Sequence, residues 1–298
     1  MGRTIVTIRG GKFFINGAPT YSDLLGARPE TLGLLWNQRM IQGIFDDAAG
    51  RSRYDQLTME HFDPEANTDA LIEALPAWYA YGLRAITVGF QGGWPVTMFA
   101  DASDMETIEN NPFGQDGDAL DPAYAARMER VIRAADELGM VVIVNIFYWA
   151  QAARLRDGKA ITAALHRACA FLREHAYTNV IIDLANEYNI RLFDKHPLIH
   201  SQEGMAHLIG LVREWSGMPV GASVADGAVH PQVIAAGDFV LIHGNAMSRG
   251  EFHNYALKVL AAAGGKPVVC NEDSPCFSRV DVALEAGVSW GYYNNYTK

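Results

Sequence analysis

Short runs of β-branched and other apolar residues alternate along this chain with amphipathic stretches at helical spacing. That alternation predicts a parallel α/β fold. The opening is different. Thr4-Ile5-Val6-Thr7-Ile8, Gly10-Gly11 and Phe13-Phe14-Ile15 spell a hairpin with a glycine turn, and Asn16-Gly17 adds a second turn signal. The first strand of the parallel series is weakly marked, around 20–26. An Ala- and Leu-rich helix follows at 65–81, and Gly82 stops it as a C′ glycine does. Regular alternation then sets in. Strands are predicted at 85–90, 140–147, 180–185, 220–224, 239–243, 268–271 and 288–292. Helices are predicted at 121–138, 161–175, 203–215, 230–235, 251–263 and 280–286. Asp121-Pro122 opens the first of these with a capping carboxylate and a first-turn proline. The run 140–147 is nearly all apolar, as a strand buried on both faces requires.

Eight strands after the hairpin favour a closed (β/α)8 TIM barrel over a doubly wound sheet. No repeat, linker or composition break interrupts the 298 residues, so 1–298 reads as a single catalytic barrel domain. The chain runs only six residues past Tyr292. The eighth helix is therefore predicted to be missing or truncated, with its flank exposed or covered by a neighbouring chain or by residues beyond this sequence.

Hydrophobic residues make up 49% and charged residues 19%, which allows a large core and excludes a disordered chain. A net charge of −10 with 24 Lys+Arg argues against nucleic acid or an anionic membrane as partner. No apolar run reaches the roughly 18 residues a membrane span needs. Residues 1–17 hold no long apolar segment, so no secretory signal is visible, although a removed one would look the same. Cys169, Cys270 and Cys276 form neither a disulfide framework nor a zinc spacing. They predict reduced thiols in a cytoplasmic protein, with a Cys270–Cys276 bridge as the alternative.

In such barrels chemistry sits where strands end. The fourth strand ends Asp183-Leu184-Ala185-Asn186-Glu187-Tyr188-Asn189, and the seventh ends Val268-Val269-Cys270-Asn271-Glu272-Asp273. Each delivers a Glu to the same rim, 85 residues apart, or three β/α units of about 28 residues. Two carboxylates facing each other are what glycoside hydrolysis needs, one protonated and one ionised, with their environments pushing the two pKa values apart. The structural alternative is that each Glu caps a helix or pairs with an Arg. No His-x-His and no carboxylate trio at successive strand ends suggests a metal or other cofactor.

Asn186-Glu187 after a fourth strand, Glu272 after a seventh, the Phe14-Ile15-Asn16-Gly17 opening and the eighth-strand Trp290 together resemble the clan A retaining glycoside hydrolases, the cellulase-like, family-5-like TIM barrels. The resemblance covers about residues 13–296. It implies a carbohydrate substrate, Glu187 as acid/base, Glu272 as nucleophile, Trp290 as a sugar platform and His243 as a contact of nucleophile or substrate. Asn186 can hydrogen-bond a sugar 2-OH. Tyr292 and Tyr293 flank the rim, where a phenol could orient the nucleophile. Gln91, Trp94, Tyr148, Trp149 and Gln151 suit sugar binding by stacking and hydrogen bonding, with loop packing as the alternative. Asp273 either touches substrate or caps a helix.

The chain also departs from the cellulase-like pattern. An Arg is usual near an early strand end, a His after the third strand and a His-x-Tyr after the sixth. Here Gly89-Phe90-Gln91, Phe147-Tyr148-Trp149 and His243-Gly244-Asn245 stand there, so substrate contacts differ and the clan label is the safer one. Long loops at 28–63 and 91–121 could wall the cleft. The resulting expectation is a retaining β-glycosidase acting on a β-linked oligo- or polysaccharide, with carboxylates about 5–5.5 Å apart. A catalytically inactive carbohydrate-binding barrel and a non-glycosidase barrel enzyme remain the alternatives.

Overall fold

The computed structural model describes residues 2–55, 61–93, 111–273 and 277–293. Gly10 and Gly11 adopt φ of +53° and +73°, the left-handed pair that a tight hairpin demands. They fold Val6–Arg9 (β1) back on Lys12–Ile15 (β2), with Val6 opposite Ile15. Asn16 and Gly17 repeat the device at φ +52° and +83° and add a short third strand, Ala18–Pro19 (β3).

Eight strand positions follow in chain order: Asn37–Arg39 (β4), Ala85–Gly89 (β5), Val141–Phe147 (β6), Val180–Ala185 (β7), Val220–Gly221 with Ser223–Val224 (β8 and β9), Val240–His243 (β10), Val268–Glu272 (β11) and Gly291–Tyr292 (β12). They form a six-stranded parallel sheet, β12-β4-β5-β6-β7-β8, and a three-stranded one, β11-β10-β9. The two sheets meet at both seams. β8 and β9 are one stretch interrupted at Ala222, and Val269 bridges Ser289 just ahead of β12. Pairing thus passes around all eight positions, without any single sheet closing on itself.

The helices lie where apolar spacing puts them. Asp121 caps Pro122–Leu138 by accepting from Ala123 and Tyr124, and Gly139 ends that helix at φ +83°. Asp157 caps Gly158–Glu174, and Ser248 with Glu251 forms a capping box on Arg249–Ala262. No described helix is long and apolar enough to cross a membrane. Cys169 and Cys270 are buried free thiols, and Cys276 lies outside the described residues.

Strand alternation divides the interior. One set of side chains, including Ile86, Val88, Val142, Val144, Ile182 and Leu184, packs under the helices. The other set, Leu35, Ala85, Val141, Ile143, Ile181, Leu241 and Val269, fills the ring and is met by Val6 and Phe13 of the hairpin. Further along the same inward rows stand Arg39, Thr87, Asn145, Asp183, Ser223, His243 and Asn271, all buried and all polar. The ring is therefore apolar toward its hairpin end and polar toward its strand-end mouth.

Two expectations need correction. Residues 20–26 form turns, and the first barrel strand is β4, inside the stretch read as a loop wall. Its Asn-Gln-Arg sequence carries no apolar run because Arg39 reaches into the polar mouth and the buried Asn37 amide ties the seam, donating to Leu35 O at 3.2 Å and Cys270 O at 3.3 Å. The predicted loop at 91–121 is described only at 91–93 and from 111 onward. Residues 294–298, where an eighth helix was expected to be absent, lie outside the described residues.

The seam between β12 and β4 leaves no room for a side chain at Gly291, where a methyl group would overlap the Asn37 amide. Gly291→Ala is expected to cost about 1–3 kcal/mol through overpacking. A urea unfolding midpoint unchanged from wild type would contradict this tight seam.

Candidate active site

The chain leaves β7 through Asn186-Glu187, and Glu187 takes a left-handed φ of +51°. Neighbouring strands fix this turn. Asn186 N donates to Phe147 O at 2.9 Å, Glu187 N to Ser223 Oγ at 3.1 Å and Tyr188 N to Ser223 O at 3.1 Å. Across the mouth, Glu272 closes β11, where a register shift after Ile242 sets it opposite His243. The His243 ring stands between the carboxylates. Its Nδ1 lies 2.8 Å from Glu187 Oε1 and 3.4 Å from Glu272 Oε2. One oxygen from each Glu and the His243 nitrogen all fall within 4.8 Å of one another.

Glu272 is the more enclosed of the pair, its side chain 10% exposed against 20% for Glu187. Arg39, itself buried, reaches it from β4 with Nε 2.9 Å from Oε2. Asn245 Nδ2 donates to the other oxygen, Oε1, at 2.6 Å. Burial opposes a charge on Glu272, but Arg39, His243 and Asn245 outweigh it and hold the carboxyl below its ordinary value. Burial likewise opposes a charged His243, yet the two carboxylates raise its pKa. Arg39 and Glu272 thus form a buried pair of opposite charges at the mouth.

Glu187, His243 and Glu272 are the one described group whose donor atoms could converge on a metal ion. The surroundings do not fit one. Both Glu272 oxygens are already engaged, and the Arg39 guanidinium would repel a cation at that carboxylate.

Several predicted residues converge here. Asn186 Oδ1 accepts from Arg39 Nη2, which fixes the orientation of its amide at the mouth. Tyr148 is buried near both Glu residues and stacks on Trp149, with ring centroids 5.8 Å apart. Gln91 is fully buried, with Oε1 accepting from Tyr148 N at 2.8 Å and Nε2 donating to Asn111 Oδ1 at 3.0 Å. It shapes the loop after β6, which differs from the substrate contact expected of it. Gln151 is also buried and donates to Gly93 O at 2.6 Å. Trp94 lies outside the described residues.

Trp290 and Tyr292 require correction. Trp290 is 5% exposed, packs in the apolar layer with Val282 and Ala283, and donates Nε1–H to Asp273 Oδ2 at 2.7 Å. Tyr292, two residues on, shares that outward side and stacks on Phe277 at 4.7 Å. Neither ring faces the mouth. The inward position is Tyr293, whose ring lies 5.3 Å from the Arg39 guanidinium and whose hydroxyl accepts from Gln42 Nε2 at 3.3 Å. Asp273 is fully buried on Arg279 and Trp290, so its carboxylate is structural. Sequence reasoning missed Arg39 because β4 carries no apolar signal, and it noted Asn245 only as a departure from a pattern. Asp183 was missed as well. It sits below the mouth and accepts from Ser223 N at 3.0 Å, Asn145 Nδ2 at 3.2 Å and Asn271 Nδ2 at 3.4 Å.

No family model matches the chain, and no curated protein matches it. Solved structures do. An exo-β-1,4-mannosidase from Opitutaceae bacterium strain TAV5 is similar over 96% of this chain and 54% of its own, at 14% identity and a TM-score of 0.60. The chain thus spans about half the length of that protein. A broad-specificity endoglucanase from Clostridium longisporum matches over 89% and 86% of the two chains, at 10% identity and a TM-score of 0.55. A glycoside hydrolase family 5 enzyme from Prevotella bryantii B14, solved with a xyloglucan tetradecasaccharide, matches over 87% and 88%, at 11% identity and a TM-score of 0.55. The fold is that of the cellulase-like, clan A glycoside hydrolases.

Burial lifts the Asp183 carboxyl to about 6, against the pull of His243, Arg39, Ser223 and Asn145. A folded value above the unfolded one means that the native state binds more protons between about pH 4 and 6. Stability from this group is therefore present at the acid side and lost as pH rises through 6. Asp183→Asn is expected to remove that loss, which amounts to about 3 kcal/mol. Urea unfolding of both proteins at pH 4, 5, 6 and 7 measures it. Parallel stability curves would refute the raised value.

Proposed function

We propose that this protein is a retaining glycosidase that cleaves β-linked oligo- or polysaccharides, with Glu272 as nucleophile and Glu187 as acid/base. The observation that carries the reading is the carboxylate pair, with oxygens within 4.8 Å across a strand-end mouth. Retaining enzymes hold their carboxyl groups about 5–5.5 Å apart, whereas inverting ones need about 6.5–9.5 Å to admit a water. A nearest-oxygen distance this short supports a retaining rather than an inverting arrangement. Support also comes from the surroundings of each Glu. Glu272 is enclosed and kept ionised by Arg39 and Asn245, as a nucleophile must be. Glu187 is the more open to a leaving group.

In the first step Glu272 attacks the anomeric carbon while Glu187 gives its proton to the departing oxygen. The carboxylate left on Glu187 faces the His243 ring, 2.8 Å away. In the second step Glu187 takes a proton from water, which attacks the same carbon and releases Glu272. Asn186, anchored by Arg39, is placed to donate to the 2-hydroxyl, a bond that strengthens as positive charge grows on the sugar ring. Neighbours of the same fold include a β-1,4-mannosidase and β-glucan-cleaving enzymes, which directs the first screen toward β-mannosides and β-glucosides.

Aryl β-glycosides and soluble β-glucans and β-mannans, followed by proton NMR of the first product, test the reading. The β-anomer is expected to form first. Glu272→Gln is expected to abolish turnover, and Glu187→Ala to slow substrates with poor leaving groups by about 10²–10⁴-fold while sparing activated aryl glycosides more. An α-anomer as first product, or turnover surviving Glu272→Gln, would overturn it.

A further inference from the structure

A trough of about 730 Å³ lies on the outside of the barrel, against the exposed side of the Gly158–Glu174 helix. That helix turns Ile161, Ala164, Leu165 and Ala168 inward. Helical spacing therefore gathers Lys159, Thr162 and His166 on the opposite side, where they line the trough. Trp215, near the end of the neighbouring Gln202–Ser216 helix, lines it as well. It stands at the edge of that helix's buried stripe, Leu208, Ile209 and Val212, so the indole packs partly on the core and partly borders the trough. His166 meets it edge to face, with ring centroids 5.3 Å apart, and Arg173 Nη1 donates to Trp215 O at 3.4 Å. Asp118 and Arg167 complete the rim, joined by a bond of 2.6 Å from Arg167 Nε to Asp118 O. None of these residues belongs to the mouth.

The trough offers polar atoms that the fold does not use. Among the described residues, no hydrogen bond engages the Trp215 Nε1–H, the His166 ring nitrogens, Lys159 Nζ, the Asp118 carboxylate or the terminal nitrogens of Arg167. Donors and acceptors thus stand together, and the Asp118 charge offsets the cations beside it. That balance suits an uncharged polyhydroxyl better than an anion. A pyranose presents apolar C–H faces and a perimeter of hydroxyls that both donate and accept. An indole bordered by such groups is complementary to it. The volume falls within the range of about 300–1,000 Å³ usual for small-ligand sites, which admits a short run of sugar units.

We infer that this trough is a second carbohydrate-binding site, apart from the mouth, that holds an uncharged β-linked polysaccharide chain while the carboxylate pair cuts it. The choice of ligand rests on the proposed function. Binding at the trough makes the meeting of mouth and chain a local event and raises the effective concentration of cleavable bonds. A small glycoside has no second segment to offer and gains nothing. The two sites therefore separate by substrate size. The trough governs how well a polymer is captured, and the mouth alone governs a monomeric substrate.

Electrophoresis of the full chain through gels holding soluble β-glucan or β-mannan tests the site, with Glu272→Gln as the background so that the polymer stays intact. Trp215→Ala and Thr162→Glu are compared with that parent. Thr162→Glu leaves the core untouched and sets a carboxylate one helical turn from both Lys159 and His166, where it fills the trough and occupies its donors. The parent is expected to be retarded by at least one polymer, and each substitution to weaken that affinity about 10-fold or more. In the active enzyme both are expected to raise KM for the polymer about 3- to 10-fold. Their kcat/KM on an aryl β-glycoside is expected to stay within about twofold of wild type. Thermal unfolding checks the fold, and Thr162→Glu alone decides if Trp215→Ala does not fold. A parent that no polymer retards, or retardation that survives in the folded variants, would overturn the inference. Retardation lost on substitution in a chain that cleaves no β-glycoside would uphold the trough and overturn the glycosidase reading.

Discussion

A carboxylate enclosed by protein keeps its charge only if fixed cations and donors replace the water it has lost. Glu272 is in that position, and much of the mouth is arranged around it. Arg39 rises from the first barrel strand, His243 from the sixth, and Asn245 from the turn that follows the sixth. Tyr293, one residue past the last strand, lays its ring over the guanidinium. Strands distant in sequence must therefore close into a ring before one charge can be tolerated. Such a pair is poor grounds for stability, since an apolar substitute would often serve the fold as well or better. Arg39 Nη1 and His243 Nε2 are buried with no hydrogen-bond partner among the described residues, which adds to the cost. An arrangement this expensive fits the nucleophile role proposed for the carboxylate.

The inward-facing side chains divide along the strands for the same reason. Toward the hairpin end, Val141, Ile143, Ile181, Leu241 and Val269 pack with Phe13 and supply apolar burial. Toward the mouth, Asn145, Ser223 and Asn271 all donate to the Asp183 carboxylate. The Asp183 network joins β7 to β11, the strands that end in Glu187 and Glu272. The polar layer thus lies between the apolar packing at the hairpin end and the two carboxylates at the mouth.

What could be read from the sequence follows this division. β6 and β7 are legible because both of their faces are buried, so they appear as continuous apolar runs. The helices are legible from their caps, Asp121, Asp157 and Ser248. The two Glu residues are legible because strand ends carry chemistry in this fold. β4 is illegible for a physical reason. It is three residues long, and two of them are buried and polar, Asn37 bonding backbone oxygens at the seam and Arg39 reaching into the mouth. Losing β4 meant losing Arg39. At the other seam, β12 is two residues long, too short for alternation to show which side faces inward. Trp290 and Tyr292 therefore looked as eligible as Tyr293, and only the close approach of Gly291 to Asn37 settles the parity.

The backbone at Glu187 adds an independent argument. A non-glycine residue with φ near +51° pays about 1 kcal/mol or more in crowding against its own Cβ. Glycine at this position would remove the strain, and the turn is held closely enough by Phe147 and Ser223 to keep its shape without a side chain. A carboxylate nevertheless stands there. The left-handed turn is what aims it at His243 and across the mouth, more exposed than its partner. The strain at Glu187 and the desolvation of Glu272 are thus two local costs with one geometric result. One carboxylate is left open to incoming groups, the other is enclosed and charged, and a single imidazole is held between them. With neighbours at only 10–14% identity, that geometry carries the functional reading, since a shared barrel alone does not fix the chemistry.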